Sequence, residues 1–246
     1  MDLNEKINFI SNWIKSYTEN LNFKPVSLVV GVSGGVDSAL TSTLCAKTGL
    51  KTIAISMPIK QNIQQHELSL RHLKWLKENF DDVKTLTIEL DEIFQLFERH
   101  LKDFNNKLAF ANSRSRLRMA TLYHIAQSNN GLVVGTGNKV EDFGVGFYTK
   151  YGDGGVDISP IADCTKSDVW EMASKLNIIK DIVEAEPTDG LWDDSRNDEN
   201  QLGLSYKQIE EAMTDKNSKY YKKYLKIREP NLHKMNPIPV CILPKK

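Results

Sequence analysis

Residues 31–38 read Gly-Val-Ser-Gly-Gly-Val-Asp-Ser and join an apolar run to a helical pattern. The run at 26–31 has the continuous apolar character of a buried strand, and the apolar residues after Ser38 recur at helical spacing. The glycines of this tight turn let backbone N–H groups approach a ligand, and the first turn of a helix carries unpaired N–H groups and a partial positive charge. Together with the hydroxyls of Ser33 and Ser38, these features predict an anion site, most simply for phosphate.

The same turn also has a purely structural explanation. A Gly-Gly turn is common where a strand meets a helix, and Asp37 or Ser38 could serve only to cap that helix. The stretch is not a Walker A motif, because no Gly-Lys-Ser/Thr follows the glycines, and it lacks the Rossmann Gly-x-Gly-x-x-Gly. By itself, the stretch leaves phosphate binding and helix capping both open.

Length and charge bound the classes of function. The chain of 246 residues can form one large α/β domain or two small ones. Its formal net charge is zero, which gives no electrostatic reason to expect a nucleic acid or a membrane as a partner. Cys45, Cys164 and Cys241 are widely spaced and form no CxxC, so we expect reduced thiols and neither a disulfide framework nor a zinc site. With no signal-peptide pattern and no apolar run of membrane-spanning length, the sequence predicts a cytoplasmic protein.

Helix and strand patterns alternate along the chain. Strands are predicted at residues 26–31, 52–57, 83–88 and 132–134. Helices are predicted at residues 3–20, 62–79, 91–100 (with Asp91 as cap), 107–128, 167–176 (with Thr165 as cap), 205–214 and 217–228. This alternation predicts a doubly wound parallel α/β sheet of Rossmann-like, three-layer type. Right-handed crossovers place the carboxyl ends of parallel strands at one edge, so 31–38 should lie near the second glycine-rich strand end, Gly-Thr-Gly-Asn at 135–138.

Charged residues near these strand ends suggest a cation site. A bound polyphosphate is usually accompanied by Mg²⁺ held by one or two carboxylates. Asp37 lies in the first turn and Glu141 just after the second strand end, so both can face one cavity. Since Arg116 and Arg118 are two positions apart on a helix, we expect them to point to different faces and not to share one role. The basic candidates for neutralising phosphate are Lys166, Arg114, Arg116 and Arg118.

Other segments carry weaker signals. The stretch at 143–157 is rich in glycine and aromatic residues, which predicts an ordered functional loop. The acidic segment at 184–203 and the tail from 228 are predicted to be mobile and to close over bound ATP. Trp170 and Trp192 are interpreted as packing residues. The histidines without metal-ligand spacing, expected at the surface or partly buried, are His66, His72, His100 and His124.

The motifs together resemble one family, the ammonia-dependent NAD(+) synthetases of the ATP pyrophosphatase (PP-loop) superfamily. Ser-Gly-Gly-Val-Asp-Ser at 33–38 resembles the PP-loop, which GMP, asparagine and argininosuccinate synthetases and tRNA thiolation enzymes share. Thr-Lys-Tyr-Gly-Asp at 149–153 is far more specific. The resemblance is collinear from about Leu3 to Pro239, and the other segments that carry it are 116–119 with Tyr123, 135–138 with Glu141, 157–161, 165–166, 187–188 and 198–203.

The resemblance implies a fold and a reaction. The fold would be that of the adenine-nucleotide alpha-hydrolases, as one synthetase domain over residues 1–246 with no room for a glutaminase domain. The carboxylate of deamido-NAD would attack the α-phosphorus of ATP, giving an acyl-adenylate and pyrophosphate. Ammonia would then displace AMP and leave NAD. The resemblance further implies Mg²⁺ and a homodimer with deamido-NAD at the subunit interface, for which the helices at 3–20 and 107–128 are candidate elements.

The resemblance also implies roles for individual residues. ATP would contact Gly31, Val32, Ser33, Gly34, Gly35, Val36, Asp37, Ser38, Thr136, Lys166 and Thr188. The magnesium ligands would be Asp37 and Glu141. Deamido-NAD would contact Arg116, Lys150, Asp157, His233 and Lys234. Lys166 and Asp153 are the catalytic candidates: Lys166 would meet the developing phosphate charge, and Asp153 would steer or deprotonate ammonia. The Tyr-Gly-Asp-Gly-Gly turn would also favour an aspartate at 153 for structure alone.

Two other classes of function share the first loop. RNA-modifying enzymes of the lysidine and thiouridine type usually need a basic surface or paired cysteines, and the neutral charge and scattered cysteines argue against both. A nucleotide-binding sensor without catalysis would not need Glu141 and Lys166 beside an intact loop. The sequence leaves this second class open.

Overall fold

The computed structural model describes residues 1–188 and 198–244. Within them, four parallel strands form one sheet in the order β3-β2-β1-β4. Their bounds are β1 Ser27–Gly31, β2 Lys51–Ser56, β3 Val83–Thr87 and β4 Gly131–Val134. The four predicted strands are therefore confirmed, each with its ends shifted by about one residue, as expected for element boundaries.

The helices connect and cover these strands. Their bounds are α1 Leu3–Asn20, α2 Val36–Lys47, α3 Ile63–Asn79, α4 Asp91–His100, α5 Lys107–Ser128, α6 Lys166–Lys175, α7 Lys180–Val183, α8 Asp198–Leu202, α9 Tyr206–Thr214, α10 Tyr221–Arg228 and α11 Leu232–Met235. The predicted cap Thr165 is confirmed, because its hydroxyl and the carboxylate of Asp168 form a reciprocal capping box. The predicted cap Asp91 is wrong: the N-cap is Leu90, and the Asp91 carboxylate instead accepts a hydrogen bond from the backbone of Lys60.

Two apolar cores lie on opposite faces of the sheet. Buried side chains of β1 alternate between them, with Leu28 and Val30 in one core and Val29 in the other. The first core is completed by α1, α2, α3 and α6, and the second by α4 and α5. Helices on both faces of a parallel sheet confirm the doubly wound α/β prediction.

The strand order sets where a ligand can bind. From β1 the chain moves outward through β2 to β3 and then returns to place β4 on the other side of β1. The loops that leave β1 and β4 therefore diverge, and this switch point is where open parallel sheets bind their ligands. The loop after β1 is the stretch 31–38, and the segment after β4 begins at Gly135.

A third apolar cluster covers the segment after β4. Residues Lys139–Val145 form a π-helical turn, which the sequence did not predict. Val140 and Val145 pack with side chains of α9 and α10, including Ile209 and Tyr224. The predicted functional loop at 143–157 is thus held from outside by the C-terminal helices.

Several remaining predictions can be compared with the described residues. His72 is fully buried, so the expectation of a surface or partly buried position is wrong for this histidine. Trp170 packs edge-to-face on Tyr206, with 5.8 Å between ring centroids, which confirms its packing role. Trp192 and the rest of residues 189–197, within the segment predicted to close over ATP, lie outside the described residues. None of the helices in the described ranges is both long and apolar enough to cross a bilayer.

Candidate active site

The loop between β1 and α2 is held by its own side chains. The Ser38 hydroxyl accepts a hydrogen bond from the backbone N–H of Ser33 at 3.1 Å and donates to the carbonyl of Gly35 at 2.9 Å. Helix α2 begins at Val36, and its N-cap is Gly35, which provides no side-chain cap. The capping alternative is therefore wrong for Asp37 and Ser38, since both lie inside the first helical turn. The N-terminal N–H groups of α2 remain directed at the carboxyl edge of the sheet.

Gly34 fixes how closely this loop approaches α3. Its φ angle of +97° lies in the region that only glycine adopts without strain. A Cβ atom added at Gly34 would lie 2.3 Å from the backbone oxygen of Gln65 in α3. The loop conformation therefore requires glycine for two independent reasons, backbone angle and available space.

A buried lysine joins the two glycine-rich strand ends. The Lys166 ammonium lies 2.6 Å from Oδ2 of Asp37 and 2.8 Å from Oε1 of Glu141. Its side chain is only 2% exposed, and those of the two carboxylates are 18% and 15% exposed. Lys166 is the first residue of α6, so three separate segments bring these charges together. The sequence prediction that Asp37 and Glu141 can face one cavity is confirmed.

Lys166 and Glu141 favour one another's charged forms, whereas the surroundings of Asp37 disfavour its charge. Burial alone would lower the pKa of Lys166, but the charges and hydrogen bonds of Asp37 and Glu141 raise it above its ordinary value. Burial would raise the pKa of Glu141, yet Lys166 and the hydroxyl of Tyr206 bring it below its ordinary value. The pKa of Asp37 is raised, first by burial and also by the nearby charge of Glu141. The Lys166 ammonium thus lies between two carboxyl groups, and Glu141 is the one whose charge the surroundings favour.

Two residues that the sequence analysis missed orient these carboxylates. The Asn138 side chain is fully buried; its Nδ2 donates to Oδ1 of Asp37, and its Oδ1 accepts from the backbone N–H groups of Val140 and Glu141. The Tyr206 hydroxyl lies 2.5 Å from Oε1 of Glu141. Asn138 ends the Gly-Thr-Gly-Asn motif, so its position was a usable signal. Tyr206 gave no signal, because on α9 it reads as an ordinary core residue.

Asp153 lies at the base of the same cavity. Its Oδ1 accepts hydrogen bonds from the Ser115 hydroxyl at 2.6 Å and from the backbone N–H of Thr149 at 3.1 Å. The residue keeps surface open to the cavity while protein atoms crowd around its carboxylate. This desolvation raises the pKa of Asp153, and the hydrogen bonds only partly oppose it. Asp153 therefore has a structural role in its turn and an accessible carboxylate as well.

The far side of the cavity is built from cations bonded to backbone carbonyls. Lys150 donates to the carbonyl of His233 at 2.9 Å. Lys234 donates to the carbonyls of Gly146 and Tyr148 at 2.6 and 2.8 Å. Arg116 donates to the carbonyl of Lys150, with 3.3 Å from both Nε and Nη2. These contacts tie the end of the chain to the loop at 143–157.

Most candidate site residues line one cavity of about 610 Å³. Asp157 lies outside that lining: its Oδ2 accepts from the backbone N–H of Val133, and its Oδ1 accepts from the Tyr123 hydroxyl. Arg116 and Arg118 both line the cavity, and their side chains donate to different carbonyls, those of Lys150 and Met57; that the two have different roles stays a prediction. The predicted residues in the lining are Gly31, Val32, Ser33, Gly34, Gly35, Val36, Asp37, Ser38, Arg116, Thr136, Glu141, Lys150, Asp153, Lys166, Thr188, His233 and Lys234.

Comparison with known proteins assigns this arrangement to a family. The profile of the NAD synthase family matches residues 6–236. The chain belongs to the NAD synthase family. An NH(3)-dependent NAD(+) synthetase of Carboxydothermus hydrogenoformans is 39% identical over 214 residues, which cover 84% of this chain and 83% of the relative.

Solved structures agree with the family assignment and the fold. The structure of NMN synthetase from Francisella tularensis has a TM-score of 0.88 and 29% identity, with 100% of both chains covered. An NH3-dependent NAD synthetase from Campylobacter jejuni has a TM-score of 0.79 and 25% identity, covering 98% of this chain and 100% of that one. The sheet, the switch point and the cavity thus belong to the NAD synthase fold.

Proposed function

We propose that this chain catalyses the ATP-dependent amidation of deamido-NAD by ammonia, giving NAD, AMP and pyrophosphate. The observation that carries the proposal is Lys166 held between Asp37 and Glu141, beside the glycine-rich loop of an NAD synthase fold. A carboxylate cannot be amidated directly, because oxide is too poor a leaving group. The cavity therefore has to support activation of the carboxylate before ammonia attacks.

The reaction proceeds in two steps. A carboxylate oxygen of deamido-NAD attacks the α-phosphorus of ATP, and the bond from that phosphorus to the β-phosphate oxygen breaks to release pyrophosphate. Ammonia then attacks the acyl carbon of the adenylate, loses a proton and displaces AMP. Catalysis of this kind depends on positioning and on stabilising the charge that develops on phosphate oxygens. The loop amides, Ser33 and Lys166 are the groups we assign to the pyrophosphate, with Thr136 and Thr188 beside the nucleotide.

The carboxylates of Asp37 and Glu141 fit a magnesium ion. Both already converge on one cation, the Lys166 ammonium, and carboxylate oxygens are the ligands that Mg²⁺ prefers. In the described ranges, no group of three or more His, Cys, Asp or Glu residues could hold a metal. The protein ligands would thus be the two carboxylates, with phosphate oxygens and water completing the shell. Bound Mg²⁺ would neutralise charge on the pyrophosphate leaving group.

We assign deamido-NAD, the acceptor of the ammonia nitrogen, to the cation-lined side of the cavity. Arg116, Lys150 and Lys234 supply positive charge there, and His233 lies with them in the lining. Asp157 would take part only from outside this chain's cavity, since its Oδ2 is bonded to Val133 in β4 and its Oδ1 to the Tyr123 hydroxyl in α5. Asp153 lines the same cavity with an accessible carboxylate, and it is our candidate for receiving ammonia.

The direct test is a product assay with ATP, Mg²⁺, deamido-NAD and ammonium. We expect NAD, AMP and pyrophosphate in equal amounts. ADP and phosphate in their place would overturn the adenylation mechanism, and ATP binding without any amide product would instead support the nucleotide sensor. Glutamine in place of ammonium should give no NAD; equal rates with both would contradict the proposal that free ammonia is the nitrogen donor.

We further propose that the chain forms a homodimer through α4 and the start of α5. Large apolar side chains are exposed there, and one of them, Leu108, also lines the cavity, so a second copy on this face would reach the acceptor. The exposed side chains are Ile93, Leu96, Phe97, Phe104 and Leu108. In sedimentation experiments, Phe104→Asp should dissociate the dimer and raise the KM for deamido-NAD. Phe9→Asp on the exposed face of α1 is the matched control, and the reverse result would move the interface to α1.

One observation favours a second acceptor. The solved structure with a TM-score of 0.88 over the whole chain is named an NMN synthetase. The corresponding acceptor is nicotinic acid mononucleotide, which carries the same carboxylate but lacks the AMP half of deamido-NAD. The two acids should be compared by kcat/KM under identical conditions. A higher value for the mononucleotide would replace deamido-NAD as the substrate and would remove the need for an interface in acceptor binding.

A further inference from the structure

Arg118 presents an unusual guanidinium group to the cavity. Its Nε donates to the backbone carbonyl of Met57 at 2.9 Å. Across residues 1–188 and 198–244, no other hydrogen bond and no ion pair engages this side chain. A guanidinium carries five N–H donors, so most of them remain available on a residue that lines the cavity.

The surroundings of Arg118 disfavour its charge. Burial, together with the positive charge of Arg114, lowers the pKa of Arg118 to about 10. The charges of Asp153 and Asp91 act in the opposite direction, although neither carboxylate forms an ion pair with it. Arg118 therefore stays cationic at neutral pH although protein atoms crowd its guanidinium, and the residue keeps part of its surface open to the cavity. Buried charges are normally paired, so a charge kept without an ionic partner in a cavity indicates an anionic ligand.

The position of Arg118 narrows the choice of anion. In the sheet, Gly31 pairs with Ile55, so the residues that follow on the two strands, up to Ser33 and Met57, leave the sheet side by side. The turn after Met57 is bonded to the loop at residues 31–38, here called the phosphate loop, because Gln61 Nε2 donates to the carbonyl of Ser33 at 2.8 Å. Arg118 is thus anchored at the flank of the phosphate loop.

Asp153 marks the other boundary of this position. It accepts its hydrogen bond from Ser115, on the same helix as Arg118, and its charge acts on the Arg118 guanidinium. Arg118 thus lines the same cavity as the loop at 31–38, Lys166 and Asp153, anchored beside the loop through Met57 and within the electrostatic influence of Asp153. The group that must lie between the pyrophosphate and the acceptor carboxylate is the α-phosphoryl group of ATP, since that is where the carboxylate attacks.

We propose that Arg118 is a catalytic residue that binds the α-phosphoryl group, in ATP, in the acyl-adenylate and in product AMP. This inference rests on the proposed adenylation. As the new P–O bond to the carboxylate forms and the bond to pyrophosphate breaks, negative charge gathers on the non-bridging oxygens of the α-phosphorus. A guanidinium fork can donate two parallel hydrogen bonds to such oxygens. Lys166 on the pyrophosphate side and Arg116 on the acceptor side would then flank it.

Binding of two simple ligands tests the assignment without turnover. AMP carries only the α-phosphate, whereas pyrophosphate carries only the leaving group. For Arg118→Gln, calorimetry should give a Kd for AMP raised about tenfold or more, since charged hydrogen bonds are lost. The Kd for pyrophosphate should change less than about twofold, within the effect of an ordinary surface substitution. Unchanged AMP affinity, or equal losses for both ligands, would overturn the proposal.

Matched variants separate charge from structure. Glutamine can still donate to the Met57 carbonyl, so a merely structural role would leave Arg118→Gln close to wild type in both affinities. Arg118→Lys keeps the charge but not the fork, and we expect an intermediate loss of AMP affinity with pyrophosphate unaffected. If Arg118→Gln fails to fold, this lysine variant carries the test with the same two ligands, and equal losses again reject the proposal. Arg99→Gln, on the exposed side of α4, is the control for removing an arginine.

Kinetics extend the test and keep it distinct from the proposed function. Deamido-NAD-dependent exchange of labelled pyrophosphate into ATP reports adenylation alone. Arg118→Gln should lower the rate of this exchange by roughly 10²-fold, the usual effect of losing one transition-state donor, with the KM for deamido-NAD unchanged. If the wild-type protein forms no NAD, and Arg118→Gln nevertheless binds AMP more weakly, the proposed function is rejected and the contact between Arg118 and AMP is retained. If the wild-type protein forms NAD, and Arg118→Gln matches it in AMP affinity and in pyrophosphate exchange, only the assignment of Arg118 to the α-phosphoryl group is rejected.

Discussion

The two sides of the cavity use positive charge differently. On the phosphate side, Lys166 is almost fully buried and each of its two partners is a carboxylate. On the acceptor side, Lys150 and Lys234 are less buried, and their partners are backbone carbonyls. A buried ion pair resists the removal of either member, whereas a carbonyl can exchange one hydrogen bond for another at small net cost. The first side is therefore preorganised for charge, and the second can rearrange around a ligand.

This contrast predicts different consequences for substitutions. Changes on the phosphate side should lower kcat and the free energy of unfolding together, because the same contacts stabilise the fold and the reaction. Changes on the acceptor side should raise KM for the acceptor and leave stability nearly unaltered. The predictions that follow are ordered from the largest expected effect to the smallest.

Replacing the buried lysine should have the largest effect. Lys166→Met leaves Asp37 and Glu141 facing each other without a cation, which should cost about 3–5 kcal/mol in unfolding free energy. NAD formation should fall by roughly 10²–10³-fold or more, as for loss of a transition-state donor. Added Mg²⁺ should recover part of the melting temperature of the variant, since it can replace the missing charge. Thermal unfolding with and without Mg²⁺ measures this.

Lys139→Met is the matched control for this substitution. Lys139 also pairs with an aspartate, Asp163, but both side chains are largely exposed. Surface pairs contribute about 0–1 kcal/mol, so the control should unfold and react like wild type. If Lys166→Met has the same unfolding free energy and the same rate of NAD formation as this control, the buried cluster determines neither stability nor catalysis on the phosphate side.

Removing one hydroxyl should have a smaller effect on the same side. Tyr206→Phe loses the hydrogen bond to Oε1 of Glu141, together with the hydroxyl's contact with Oδ2 of Asp198 at 3.0 Å, and leaves the rest of α9 in place. Groups that orient a metal ligand typically change metal affinity by about 10–100-fold when removed. We expect the Kd for Mn²⁺, measured by electron paramagnetic resonance, to rise by about tenfold or more. Tyr224→Phe, which loses a bond to the Gly144 carbonyl and the hydroxyl's contact with Arg228 but nothing at Glu141, should leave that Kd unchanged.

A substitution on the acceptor side should act mainly on KM. Lys150→Met removes a cation whose protein partner is the His233 carbonyl. We expect the KM for the acceptor to rise about tenfold, equivalent to one charged hydrogen bond, with kcat and melting temperature close to wild type. Lys175→Met, on the exposed side of α6, serves as control. A fall in kcat with an unchanged KM would mean that Lys150 acts as we expect residues of the phosphate side to act. The proposed difference between the two sides of the cavity would then be wrong.

The phosphate side could be predicted from the sequence to a greater degree than the acceptor side. Asp37 and Glu141 lie at or just after the ends of apolar strands, and the parallel topology brings such ends together whatever the details. Tyr206 could not be found in this way, because its contact with Glu141 depends on how α9 packs, far along the chain. Arg118 was among the candidates for phosphate, but its bond to the Met57 carbonyl could not be predicted, because helix-face geometry fixes Cβ directions and not where a long side chain ends. Position in the sheet is encoded locally, whereas side-chain reach depends on packing.

The smallest predicted effect concerns a histidine beneath the phosphate loop. His72 Nε2 lies 2.9 Å from the Ser42 hydroxyl, which itself donates to the Ser38 carbonyl in α2. A hydroxyl has one proton, so Nε2 must be the donor in this pair, and Nδ1 has no hydrogen-bond partner among the described residues. Protonating His72 would therefore place an uncompensated charge in the core, and burial lowers its pKa from 6.5 to about 4.

The sign of the pH dependence follows from this lowered pKa. A folded-state pKa below the unfolded value means that the native state favours neutral His72, so its contribution is complete above pH 6.5 and is lost as the pH falls towards 4. The difference amounts to about 3 kcal/mol across that range. In His72→Gln, the free energy of unfolding from urea titrations should fall less steeply between these pH values, while in His124→Gln, an exposed control, the slope should match wild type. If the free energy of unfolding has the same slope against pH in wild type and in both variants, His72 accepts a proton without cost to stability. The core beneath the phosphate loop would then tolerate positive charge, as the acceptor side does.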